Sequence, residues 1–247
     1  MMKIIISPAK KMVENNDFLL SSSVPMFMME TAYLLNQLKT LDYTQLKELL
    51  CCNDQIASLN YDRFKDMDLC HQLTPALLSY EGIQYQYMRP QVFTNEQWEY
   101  VNEHLYILSG FYGMLKPMDG ITPYRLEMQA KLTINEQKGL YNFWNRKIYD
   151  AITKDASVIL NLASKEYSKV IEKYLKENDT FVTCVFGELV NGKIKVKATE
   201  AKMARGEMVS YLAKNNILDL DGVKSFNEMG FSYCPERSTR KEFVFLK

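Results

Sequence analysis

Residues 157–176 read SVILNLASKEYSKVIEKYLK. The run from Ser157 to Leu162 is short and apolar, and it stops at Ala163–Ser164. From Ser164 the apolar residues return at spacings of three and four, the signature of an amphipathic helix. A buried strand that runs through a tight turn into a helix is the building unit of an α/β fold. The same geometry often holds an anion, because a helix start presents free N–H groups and the positive end of its dipole.

The rest of the chain extends this reading outward. KIIIS, Lys3–Ser7, is a β-branched run stopped by Pro8 and predicts a buried strand that ends in a loop. Helical spacing follows from Pro25 to Phe64, and Thr94 with Gln97 makes a capping-box pair ahead of the apolar face Trp98, Val101 and Leu105. LYNFWNRKIYDAITK, Leu140–Lys154, predicts one helix. TFVTCVFGELVNGKIKVKAT, Thr180–Thr199, holds two β-type runs joined at Asn191–Gly192, a hairpin signal. A helix over Glu200–Asn215 and closing strands in FSYC and EFVFLK complete the pattern. No repeat or long flexible linker divides the chain. The expectation is one compact α/β domain over residues 1–247, with a mixed β-sheet flanked by helices.

Composition narrows the function classes. No apolar run approaches the roughly 20 residues needed to span a bilayer, and the start MMKIIISPAKK lacks the pattern of a secretory signal. A cytoplasmic protein with no membrane partner is expected. Five cysteines, at 51, 52, 70, 184 and 234, do not make a disulfide framework. His71 and His104 sit in no metal-binding spacing, so no metal and no cofactor is expected. Formal net charge is zero, but it is unevenly spread: residues 13–103 carry 5 basic against 13 acidic groups, and residues 104–247 carry 22 basic against 17 acidic. Such asymmetry suits both a positive face for a polyanion and ordinary solvated helices.

Four constellations could carry chemistry. Lys10 and Lys11 leave the first strand at a sheet rim, where α/β proteins bind ligands, and would look the same as solvated surface lysines. Ser164 can cap its helix, with Lys165 beside it reaching over a bound phosphate. Lys202 and Arg205 lie three apart on one helical face, and Gly206 in mid-helix implies close approach by a backbone or ligand. Finally, LSGFYGMLKPMDGITPYRLEM, Leu108–Met128, gathers Gly110, Tyr112, Gly113, Lys116, Tyr124 and Arg125. Its glycines can expose amides to an anion, or can simply turn a rigid corner between core elements.

IIISPAKKM, HLYILSGFYGMLKPMDGITPYRLEM, ILNLASKEY, AKMARGEM and FNEMGFSY occur in an order and spacing that resemble the YaaA family of bacterial peroxide-stress proteins, over essentially the whole chain. The resemblance implies a cytoplasmic protein that helps cells survive hydrogen peroxide by limiting unincorporated iron and damage to DNA and protein. It also implies a compact α/β fold with a positively charged cleft, a helix-hairpin-helix-like element and binding to duplex or branched DNA. LSGFYG looks like the hairpin, although two residues separate its glycines where the usual motif has one.

The expected function is therefore sequence-independent DNA binding, without catalytic residues, through phosphate contacts from Lys10, Lys11, Gly110, Tyr112, Gly113, Lys116, Tyr124, Arg125, Ser164, Lys165, Lys202 and Arg205. The alternative is an enzyme acting on a phosphorylated or nucleotide-like small molecule in the same cleft, with Tyr112, Tyr124 and Glu127 as its proton-transfer candidates. Oligomeric state stays open, with a monomer the default.

Overall fold

The computed structural model describes residues 1–14, 19–71, 73–134 and 137–247. An eight-stranded sheet forms its centre. Strand β1, Met2–Ile6, is buried at every position, so each isoleucine contributes roughly 1.5–3 kcal/mol of burial. A helical layer follows in α1 (Met28–Lys39), α2 (Tyr43–Leu50) and α3 (Asp54–Asp66), then the short α4 (Ile83–Met88) and α5 (Asn95–His104). The capping box at α5 forms as expected: Thr94 Oγ1 accepts from the Gln97 backbone amide, and the Thr94 backbone amide donates to Gln97 Oε1.

Helix α5 feeds directly into β2 (Leu105–Ser109), which turns back into β3 (Gly113–Leu115). Next come β4 (Val158–Leu162), α6 (Lys165–Glu172), β5 (Thr180–Val190) and β6 (Lys193–Lys195). Asn191 and Gly192 both adopt positive φ between β5 and β6, the conformation that a two-residue hairpin requires. The long α7 (Ala198–Lys214) leads on to β7 (Ser232–Tyr233) and β8 (Glu242–Leu246).

Two expectations are corrected. Leu108–Gly113 does not join two helices: it turns between antiparallel strands, with Ile107 opposite Leu115 and Ser109 opposite Gly113. The apolar run Leu105–Leu108 is claimed by the sheet, where it is fully buried beside β1. The single helix over Leu140–Lys154 is split into Leu140–Trp144 and Lys147–Ile152. Asn145 breaks it with φ 43 and ψ −126, and its side chain accepts a bond from the Tyr174 hydroxyl.

Sheet order is β7-β8-β5-β4-β1-β2-β3, with β6 also paired to β5. The five central strands are all parallel, and β3, β6 and β7 are antiparallel additions. Counted along the chain, the parallel strands run 2-1-3-4-5 in space. That order creates a switch point between β1 and β4, where the chain leaves the two carboxyl ends in opposite directions and opens a crevice.

Helix α7 is held against α4 by a close backbone contact. A Cβ on Gly206 would sit inside van der Waals distance of the Gln84 carbonyl oxygen, and the neighbouring Glu207 pairs with Arg89 at 3.0 Å. The mid-helix glycine is therefore a packing requirement. Gly206→Ala should destabilise the fold by about 1–3 kcal/mol, read as a lower Tm in thermal denaturation. An unchanged Tm would mean that the two helices separate freely.

Candidate anion-binding site

At the switch point the two strand ends are tied together. The Ser164 amide donates to Ser7 Oγ at 2.8 Å, the two hydroxyls lie 3.2 Å apart, and the Tyr85 hydroxyl donates to the Ser7 carbonyl. Ser164 stands at the N-cap position of α6 yet accepts no helix amide, so plain capping does not account for it. Beside this junction lies a cavity of 410 Å³, within the range of small-ligand sites.

The cavity brings together Lys10, Lys11, Tyr124, Arg125, Ser164, Lys202 and Arg205, residues that span almost 200 positions of sequence. Glu81, Glu127 and Glu166 share its walls. Glu127 Oε1 accepts from Lys10 at 3.0 Å and from Arg125 at 3.1 Å, while Lys11 pairs with Glu81 at 2.8 Å. Lys202 and Arg205 have no acidic partner among the described residues. Burial pulls the Arg205 guanidinium below its ordinary value, opposed by the nearby Cys184. Burial also pushes Glu166 above the usual carboxylate range, although the Gln129 amide that it accepts works the other way.

Four buried side-chain polar atoms among the described residues lack a hydrogen-bond partner, and three of them sit on residues that line this cavity: Gln84 Nε2, Arg125 Nε and Arg205 Nε. All three are donors. Buried donors without acceptors are uncommon in native structures and call for an explanation. Gln84 was not among the expected residues; no motif marks it, and the packing of α4 against α7 brings it here.

Other expected residues lie elsewhere. Gly110, Tyr112 and Gly113 are buried, and the Phe111 and Tyr112 amides donate to Ser109 Oγ, so those amides are already spoken for. A Cβ on Gly110 would collide with the Leu126 carbonyl oxygen, and one on Gly113, at φ +73, would meet the Trp144 ring. The corner acts as a support. Its Ser109 Oγ bonds the Tyr124 hydroxyl, which bonds Tyr80 in turn, and Gly110 lets the Leu126–Glu127 backbone pass. Arg125 and Glu127 are thereby set into the cleft wall. Lys116 is exposed and does not line the cavity. Lys165 pairs with Glu172 and lines an adjoining groove of 1620 Å³, which shares Arg205 with the cleft. Among the three unpaired donors only Arg205 touches that groove.

Comparison with known proteins agrees over the whole chain. The sequence model described as "Peroxide stress protein YaaA" matches residues 2–237. A UPF0246 protein of Lachnoclostridium phytofermentans is 54% identical over 246 residues, covering 100% of this chain and 96% of its own length. A UPF0246 protein of Ligilactobacillus salivarius is also 54% identical over 246 residues and is covered completely. One from Desulfitobacterium hafniense is 52% identical, with 98% of its length covered.

The unpaired guanidinium should cost stability in the free protein. Arg205→Met should raise Tm, corresponding to roughly 1 kcal/mol or more; inorganic phosphate is expected to raise the Tm of the parent and to leave that of the variant unchanged. A variant less stable than the parent would show that Arg205 serves the fold and not a ligand.

Proposed function

The chain belongs to the peroxide stress protein YaaA family, which places it in the peroxide response, and from that premise we propose that it acts there by binding DNA through backbone phosphate in the β1–β4 cleft. The observation that carries this reading is the set of three unpaired buried donors around one cavity. Phosphate oxygens are acceptors only and bring negative charge, so they match donors and the unpaired cations Lys202 and Arg205 together. Contacts of this kind position a protein on nucleic acid without reading bases. Protection at the DNA itself is the part of the family's role that this cleft supports.

A second reading, an enzyme acting on a phosphorylated small molecule, is favoured by one feature. Glu127 and Glu166 share the cavity with Tyr124, so acid–base groups stand beside the anion site. The two readings differ in their response to salt. A long polyanion releases counterions on binding, and its affinity falls steeply as salt rises.

Lys202 is exposed and unpaired, so Lys202→Gln leaves the fold intact. The substitution should weaken binding to unrelated duplexes about equally and make the slope of log K against log salt shallower by roughly 0.9. Unchanged affinity and slope would remove Lys202 from the contact surface. Tight mononucleotide binding without any duplex binding would transfer the cleft to the enzyme reading.

A further inference from the structure

The cleft is poorly shaped for the middle of a strand. A cavity of 410 Å³ admits a nucleotide but not a duplex, and a strand passing through it would carry further phosphates past Glu81, Glu127 and Glu166. Those carboxyls line the same walls as the donors, and like charge disfavours a second and third phosphate there. The donor set is also generous for an internal linkage. A phosphodiester offers two non-bridging oxygens and a single charge, whereas a phosphomonoester offers three acceptor oxygens and a charge of about −1.5 to −2 at neutral pH.

Gln84 Nε2, Arg125 Nε and Arg205 Nε come from three separate segments of chain, and Gln84 is only 7% exposed. Lys202, on the turn of α7 before Arg205, adds a fourth donor group free of any acid. The N-terminus of α6, uncapped by Ser164, lies at the same junction. This arrangement resembles a socket for one compact dianion more than a track for a chain of monoanions.

We propose that the cleft recognises a phosphomonoester, and specifically the phosphorylated end of a broken DNA strand. The assignment rests on the DNA-phosphate reading above and narrows it from backbone to terminus. A free mononucleotide carries the same group, so the chemistry has two sources; the family's place in the peroxide response favours the strand end. Hydroxyl radicals made from peroxide cut the sugar–phosphate backbone and leave phosphomonoester termini, so the damage itself generates the ligand. Binding at such an end requires no covalent step. Glu81, Glu127 and Glu166 then act as a filter, since they tolerate one phosphate held by the donors and repel its neighbours.

The test compares one duplex sequence in four forms: 5′-phosphate ends, 3′-phosphate ends, hydroxyl ends, and a covalently closed circle, with a mononucleotide as competitor. At least one phosphate-ended form should bind about tenfold more tightly than the hydroxyl-ended form and the circle. Gln84→Leu removes one of the three donors and puts no polar atom in its place, and it should erase the preference while circular dichroism shows a native fold. Gln84→Glu puts an acceptor among the donors and should erase it too, with a raised Tm. Equal affinity for all four forms would overturn end recognition and leave the backbone reading standing. A mononucleotide that binds more tightly than any phosphate-ended duplex would overturn the strand end as the ligand. No binding of any DNA at low salt would remove the proposed function and this inference together.

Discussion

The contact between α7 and α4 at Gly206 is the constraint on which the site depends. Only a residue without a side chain lets the α7 backbone pass the Gln84 carbonyl. That approach sets Arg205 and Lys202 over the carboxyl ends of β1 and β4, and it brings Gln84 into the same cavity. Gly110 in turn allows the Leu126–Glu127 backbone to close in and so delivers Arg125 to the same cavity. Two glycines, far apart in sequence and neither lining the cavity, determine where the donors stand.

The electrostatics then follow from burial. Glu127 neutralises part of the cluster by accepting from both Lys10 and Arg125, while Arg205 is left with burial and no acid. A protein optimised for stability alone would fill such a position with an apolar side chain. Three unpaired donors in one place are the reverse of that solution. Strain or desolvation concentrated at one locus is what binding sites retain when an absent partner completes them.

Much of the fold was legible in local pattern. The β-branched run at Lys3–Ser7, the Asn191–Gly192 turn and the Thr94 capping box each depend on neighbours in sequence, and each forms as read. The glycine-rich corner shows where such reading fails. Gly110 and Gly113 have the composition of an exposed anion loop, but Ser109 takes the amides and Trp144 packs against the turn. Both facts are tertiary. Lys10, Arg125 and Arg205 were legible as cations, and their convergence comes from the order of the parallel strands. Gln84 carried no signal at all, because a lone glutamine in a short helix acquires meaning only from what fails to bond it.

The central claim is that the three unpaired donors await a phosphate. A crystal structure of the unaltered chain grown with a mononucleotide tests it most directly. The account predicts phosphate oxygens within hydrogen-bonding distance of Gln84, Arg125 and Arg205, with the nucleoside toward the cavity mouth. Ordered waters satisfying all three side chains, with the nucleotide bound elsewhere or not at all, would contradict it.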